Sequence, residues 1–316
     1  MLKINNLSKI ALILAMLFIG CKEFIEPSIE RKNVVLLAPS NGAESIIYNQ
    51  TFWWEVVEDA LKYRLQIVSP GFNNTVRLIA DTVIKGNKFN QTLDPGNYEW
   101  RVRAENGSSN THYTSAAFTI HPSSMKLQQV QLTLPANGAS TNQSTAVFSW
   151  AKLYGADKYR LQIDTNNFSD ETKLFLDKTI PGLEYPVTFS RNKVYQWRVQ
   201  AKNDVEESKW SVVRNITFDN SPAAKVVLIS PANNVAVTKP VNLKWEALST
   251  AKKYKLFVYQ SNGNTPYDPT FPLTLTATSY AFADGLSGEK LFWEVRAIDG
   301  NGNVGPAGEV RSFTIQ

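Results

Sequence analysis

Apolar and polar residues alternate along most of the chain beyond residue 33. Phe52, Trp54 and Val56, then Tyr63, Leu65 and Ile67, then Tyr98, Trp100, Val102 and Ala104 fall on every second position. A period of two puts successive side chains on opposite faces of an extended backbone, so each run predicts a β-strand with one buried face. Pro70-Gly71, Lys85-Gly86-Asn87, Asp94-Pro95-Gly96-Asn97 and Glu105-Asn106-Gly107 punctuate these runs at short intervals and mark turns. No long segment carries the 3.6-residue stripe of an amphipathic helix, so the chain is read as all-β.

The pattern occurs three times. Pro39, Pro135 and Pro231 lie 96 positions apart, each in a short Leu/Ile, Pro and Asn cluster. Trp54, Trp150 and Trp245 are each followed nine positions later by Tyr63, Tyr159 and Tyr254, and each unit ends on a strand containing Phe118, Phe218 or Phe313. A period near 96 residues is too long for a solenoid and matches an independently folding domain. About seven short strands in about 95 residues predict a β-sandwich, here in three tandem copies over residues 34–121, 126–219 and 225–316.

The marker residues resemble fibronectin type III domains, an immunoglobulin-like fold: a Trp on the second strand, a Tyr opening the third, and Leu93-Asp94-Pro95-Gly96-Asn97-Tyr98 leading into a Tyr-x-Trp-x-Val-x-Ala strand. The resemblance covers about Val34 to Gln316. It implies a tyrosine corner, in which Tyr98 and Tyr195 bond backbone a few residues upstream; Phe292 is read as their counterpart, able to pack but not to bond. It also implies that Trp210, in Ser208-Lys209-Trp210-Ser211, stacks on arginines of the neighbouring strands. The fold itself carries many unrelated roles and names none.

The N-terminus is a separate signal. Lys3 and Lys9 precede an apolar run from Ile10 to Ile19, about half of what a bilayer crossing needs, which ends at Gly20-Cys21. The Leu17-Phe18-Ile19-Gly20-Cys21 order resembles a bacterial lipobox, which implies cleavage after residue 20 and a diacylglycerol on Cys21. Lys22-Glu23 resembles the export signal of Bacteroidota lipoproteins that reach the cell surface. The expectation is an outer-membrane lipoprotein, anchored by its N-terminal lipid, with residues 21–33 as lipidated cysteine and linker. Lipidation also accounts for a single cysteine in an exported chain.

Composition removes most chemistry. One cysteine and two histidines, His112 and His121, leave no disulfide scaffold, no thiolate or histidine metal site and no triad, so no catalytic residue, metal or cofactor is expected. The formal charge falls from +5 to +3 when Lys3 and Lys9 leave with the signal, too little and too dispersed for nucleic acid. Glu55, Glu58 and Asp59 are the carboxylates a hydrolase would draw on, but nothing sorts them into an acid and a base, so a carboxylate-based hydrolase is the weakest reading. Asp299-Gly300-Asn301-Gly302-Asn303 alternates oxygen donors like a calcium loop, yet Val310 stands where the twelfth-position glutamate belongs, and a hairpin turn explains the same residues. Asp81-Thr82-Val83 fits a three-residue O-glycosylation acceptor pattern.

Departures from the repeat are the functional candidates. Trp54, Trp100, Trp150, Trp197, Trp245 and Trp293 fall on inward positions and are read as core. Trp53, whose counterparts are Ser149 and Lys244, is read as outward, either a packing contact or a stacking platform. The outward ladder of the first unit, Arg64, Gln66, Arg101 and Arg103, recurs in the second as Arg160, Gln162, Arg198 and Gln200. The third unit substitutes Lys255, Phe257 and Tyr259 opposite Glu294 and Arg296, followed by a proline-stiffened loop bearing Tyr267 and Phe271. Phe257, Tyr259, Tyr267 and Phe271, with Trp53, form the candidate surface, unless the loop folds over the sheet and buries its rings. The resulting expectation is a non-catalytic surface-projecting interaction or adhesion module with a protein partner; the alternative is polysaccharide capture, as in lipoproteins of Bacteroidota glycan-uptake systems.

Overall fold

The computed structural model describes residues 26–316; residues 1–20 and Cys21 lie outside the described residues. Apart from three single-turn 3-10 helices, every regular element is a strand, and no α-helix occurs among the described residues. The first sandwich contains β1 (Leu36–Ala38), β2 (Ala43–Ser45), β3 (Asn49–Trp54), β4 (Lys62–Ser69), β5 (Arg77–Ile84), β6 (Lys88–Thr92), β7 (Gly96–Glu105) and β8 (Thr114–Ile120). The second contains β9 (Leu132–Leu134), β10 (Ala139–Thr141), β11 (Thr145–Trp150), β12 (Lys158–Asp164), β13 (Leu176–Ile180), β14 (Glu184–Thr188), β15 (Lys193–Lys202) and β16 (Arg214–Phe218). The third contains β17 (Leu228–Ser230), β18 (Val235–Val237), β19 (Val241–Trp245), β20 (Ala251–Tyr259), β21 (Leu273–Leu275), β22 (Ser279–Phe282), β23 (Lys290–Asp299) and β24 (Arg311–Ile315).

Strand order is identical in all three. A three-stranded sheet β1-β3-β6 faces a five-stranded sheet β2-β8-β7-β4-β5, and the orders β9-β11-β14 with β10-β16-β15-β12-β13 and β17-β19-β22 with β18-β24-β23-β20-β21 repeat it. Each first strand is split at the proline of the repeat, and its second half crosses to the other sheet, where it pairs in parallel with the last strand. The chain divides into two compact units at Gln128 and Gln129, the second holding two sandwiches.

The inward tryptophans form the cores. Phe52 meets Trp100 edge-on at 5.1 Å and Phe148 meets Trp197 at 5.0 Å. In the third sandwich Leu243 stands two residues before Trp245, where the others have Phe52 and Phe148, and that core gathers Phe271, Phe282 and Phe313 around it. Val56, inward by alternation, is 71% exposed because β3 ends at Trp54; Val57 is buried in its place. Trp100 donates its indole N–H to the Pro39 carbonyl at 3.1 Å. In the second and third sandwiches the same proline carbonyls, of Pro135 and Pro231, accept instead from Arg214 and Arg311, which pair with Trp197 and Trp293 where the first sandwich has Ala116.

Tyr98 and Tyr195 make the tyrosine corner, donating to the carbonyls of Asp94 and Arg191 at 2.8 Å. The third sandwich departs from expectation. Counting back from the core Trp of each strand, the counterpart of Tyr98 and Tyr195 is Leu291, fully buried, and Phe292 faces outward. The chain also reaches the first sandwich earlier than residue 34. Ile29 is fully buried, its N–H donates to Ser109 at 2.8 Å, Asn106 donates to the Pro27 carbonyl at 2.8 Å, and Glu26 accepts from the Gly107 N–H. Lys32 pairs with Asp59 at 2.9 Å and Glu58 at 3.3 Å. The expected linker is therefore part of the domain from Glu26 onward.

The Asp299–Asn303 turn joins the second and third sandwiches. Asp299 accepts from the N–H groups of Asn301 and Asn303 through one oxygen, at 2.8 and 2.9 Å, and from the Asn303 amide through the other, at 2.9 Å. Asn303 donates onward to the Asp219 carbonyl at 3.0 Å, and Asn301 accepts from Ser140 at 2.6 Å. Nearby, a side chain on Gly305 would stand 2.8 Å from the Ala223 carbonyl, so only glycine lets the connector lie this close.

Candidate functional site

β20 and β23 run antiparallel in the third sandwich, with Phe257 opposite Glu294, Tyr259 opposite Phe292 and Lys255 opposite Arg296. Phe257 and Tyr259, two residues apart, share the outward side of the sheet; their rings lie 6.0 Å apart and within 18° of parallel. The Arg296 guanidinium lies 4.8 Å from the Phe257 ring. Beneath them Glu294 is 2% exposed. One of its oxygens accepts from the Tyr259 hydroxyl at 3.0 Å and from Arg296 at 2.6 Å, while the other is buried and has no partner among the described residues.

Burial, and then the bond to Glu294, push the Tyr259 phenol up to about 12. It stays a neutral donor across the physiological range, so the two rings are pinned at one end by the buried carboxylate and at the other by arginine. Phe292 extends the surface to a third ring, half-buried like the other two. Its place was legible from spacing: it precedes Trp293 by one residue, whereas Tyr98 and Tyr195 precede Trp100 and Trp197 by two. The chemistry on offer is contact: stacking on the rings and hydrogen bonding at the Arg296 rim.

The loop residues do not join this face. Phe271 is 7% exposed inside the third core, and Tyr267 packs edge-on against Phe282 at 5.1 Å. The loop folds back on the strand it leaves, with Tyr267 N–H donating to the Val258 carbonyl at 2.8 Å, and the core with Leu243 takes up its rings. Phe271 is therefore a core residue, and Tyr267 packs against that core from its edge. Trp53 is outward on β3 and 39% exposed, with the Lys88 ammonium 4.4 Å above its ring from the neighbouring β6. It is a feature of the first sandwich alone.

The same outward positions in the first two sandwiches are occupied by a closed polar network. Arg64 meets Asp81 through two bonds of 2.8 Å, Gln66 donates to Asp81 at 3.0 Å and Arg101 donates to Gln66 at 2.8 Å. Arg160, Asp177, Gln162 and Arg198 repeat it bond for bond. Rings close it from both sides: Arg101 lies between Phe72 at 4.0 Å and Tyr113 at 4.4 Å, and Arg198 between Phe168 at 4.2 Å and Trp210 at 4.3 Å. The arginines hold the carboxyls of Asp81 and Asp177 below the usual carboxylate range. Asp81 is thus a ladder acceptor, a role the Asp81-Thr82-Val83 pattern did not suggest but which the repeated spacing of 17 residues from Arg64 to Asp81 and from Arg160 to Asp177 would have revealed.

No protein-family model and no curated protein matches the chain. Among solved structures it is similar to the FN1–FN3 domains of chicken CNTN1, at 12% identity over 90% of this chain and 97% of that one, with a TM-score of 0.39. It is also similar to the fibronectin(III)-like modules of Clostridium thermocellum CbhA, at 13% identity over 59% of this chain and 94% of that one, with a TM-score of 0.38. The fold is fibronectin type III-like. That assignment rests on the strand order repeated three times and on the tyrosine corners of the first two sandwiches.

Proposed function

We propose that the chain is a non-catalytic interaction protein of the cell envelope, exported behind residues 1–20, held at the outer membrane by lipid on Cys21, and offering the outward face of its third sandwich to a protein partner. The observation that carries the reading is the exchange of the closed Arg-Asp-Gln-Arg network for Phe257, Tyr259 and Phe292 on that one face. The fold has no need of it, since two sandwiches stand without it. Half-buried rings beside an anchored arginine are the composition of an interface centre. The lipid on Cys21 is supported by the sequence order around Gly20-Cys21.

Polysaccharide capture is the second reading, favoured by the near-parallel setting of Phe257 and Tyr259, which presents a flat surface to a sugar ring. A glycan array and a pull-down, both run with the soluble form beginning after Cys21 and with its F257A/Y259A variant, separate the two. Binding to a defined protein that the variant loses supports the first reading, binding to a polysaccharide that the variant loses supports the second, and unchanged binding in the variant removes this face from both. Incorporation of labelled fatty acid into the chain, lost in Cys21→Ser, tests the anchor.

A further inference from the structure

We propose a second and independent binding site: a basic cleft at one end of the second sandwich that takes a single sugar unit carrying a carboxylate or sulfate group. The cleft, of about 240 Å³, is lined by Thr165 after β12, Lys173 and Phe175 before β13, Ser190 and Arg191 in the turn before β15, and Lys193, the first residue of β15. Its volume is below the range for drug-sized ligands and leaves room for one ring-sized group.

Three cations converge on this space. Lys173 is paired with Asp170 at 2.9 Å, but Arg191 and Lys193 form no ion pair among the described residues, so two positive charges are left for a ligand. The fold does not require them. The tyrosine corner uses the backbone carbonyl of Arg191, at 2.8 Å from the Tyr195 hydroxyl, and not its side chain. Counted from the same corner, the first sandwich has Asp94 and Gly96 at these two positions and the third has Ser287 and Glu289, so the basic pair belongs to the second sandwich alone.

The remaining wall argues for a sugar. The Phe175 ring, held edge-on against Tyr195 at 4.9 Å, supplies an apolar face, and the Thr165 and Ser190 hydroxyls supply neutral hydrogen-bonding groups beside the cations. A ring with one apolar face, hydroxyls around its edge and one anionic substituent matches all three elements. A bare anion would use only the cations.

The test is calorimetric titration of the full chain with trigalacturonate and, separately, with N-acetylglucosamine 6-sulfate; cellotriose, inorganic sulfate and oligoglutamate serve as controls. Saturable binding of either charged sugar is expected, with the arm that binds naming the anion, and with affinity falling as salt rises. R191A/K193A should weaken that binding at least about tenfold while the tyrosine corner keeps the fold, read as an unchanged near-ultraviolet circular dichroism spectrum. F175A should weaken the charged sugar and leave inorganic sulfate unaffected. Absence of binding to both charged sugars, equal binding of oligoglutamate, or full binding by R191A/K193A would each overturn the proposal.

Discussion

In the second sandwich the outward side of β12 and β15 is a closed polar network capped by Phe168 and Trp210; in the third, the same side of β20 and β23 is three aromatic rings over one buried glutamate. Strand order, inward tryptophans and the split first strand are common to both. The comparison separates what the sandwich requires from what it tolerates. Inward positions fix the fold through burial, and outward positions on the five-stranded sheet admit either a closed polar network or stacked rings, the latter even with one Glu294 oxygen unpartnered among the described residues. The network satisfies itself and leaves little for a partner. The aromatic face leaves apolar surface uncovered.

Exchanging residues between the two faces should break this symmetry most sharply. Gln162→Phe, which installs the third sandwich's residue in the second, removes one hydrogen-bond partner from each of Asp177 and Arg198 at a fully buried position and should cost about 2–3 kcal/mol, read as a lower denaturation midpoint for the second sandwich. The reverse change, Phe257→Gln, acts on a half-buried ring and should cost less than about 1 kcal/mol. Tyr195→Phe removes the corner bond and should cost about 1 kcal/mol, whereas Leu291 in the third sandwich has no such bond to lose.

Acid should also distinguish the two. The Asp177 carboxyl is held below the usual range chiefly by Arg160, so its contribution is full above the ordinary aspartate value of about 3.9 and is lost as the pH falls through the lower folded value. Because the pair is partly exposed, the contribution is at most about 1 kcal/mol, and Asp177→Asn should flatten the acid limb of the second sandwich's stability by that amount. The smallest effect lies at the alkaline end. The contribution of Tyr259 is full below the ordinary tyrosine value of about 10 and is lost as the pH rises to about 12, and Tyr259→Phe should remove a late step from the ultraviolet tyrosine titration.

The fold was legible because it is written three times. Alternation located the strands, and Trp54, Trp150 and Trp245 set their order. The outward ladder and the stacking of Trp210 were also readable, since strands three and six are neighbours in this fold. The other half of that network was not, because Phe72, Phe168 and Tyr113 reach it from loops and strand ends that carry no periodicity. At the candidate surface, Phe257 and Tyr259 follow from period two, while Tyr267 and Phe271 lie in an irregular loop whose burial depends on Leu243 leaving room in a distant part of the sequence. Phe292 was misplaced by one residue, and in a strand one residue exchanges inside for outside.

The segment ahead of β1 gives the first sandwich a mechanical fuse. Glu26, Pro27 and Ile29 are fastened to the turn between β7 and β8, and Lys32 to the turn between β3 and β4. A pull from the N-terminal end loads these fastenings one after another, as tape is peeled. The parallel pair β2–β8, which resists the same pull in shear with its bonds loaded together, bears tension only once the segment has come away. Release of residues 26–33, whose contour length is at most about 26 Å, lets the chain lengthen before any strand leaves its sheet, so a sudden load on the N-terminal end is met first by a short extension.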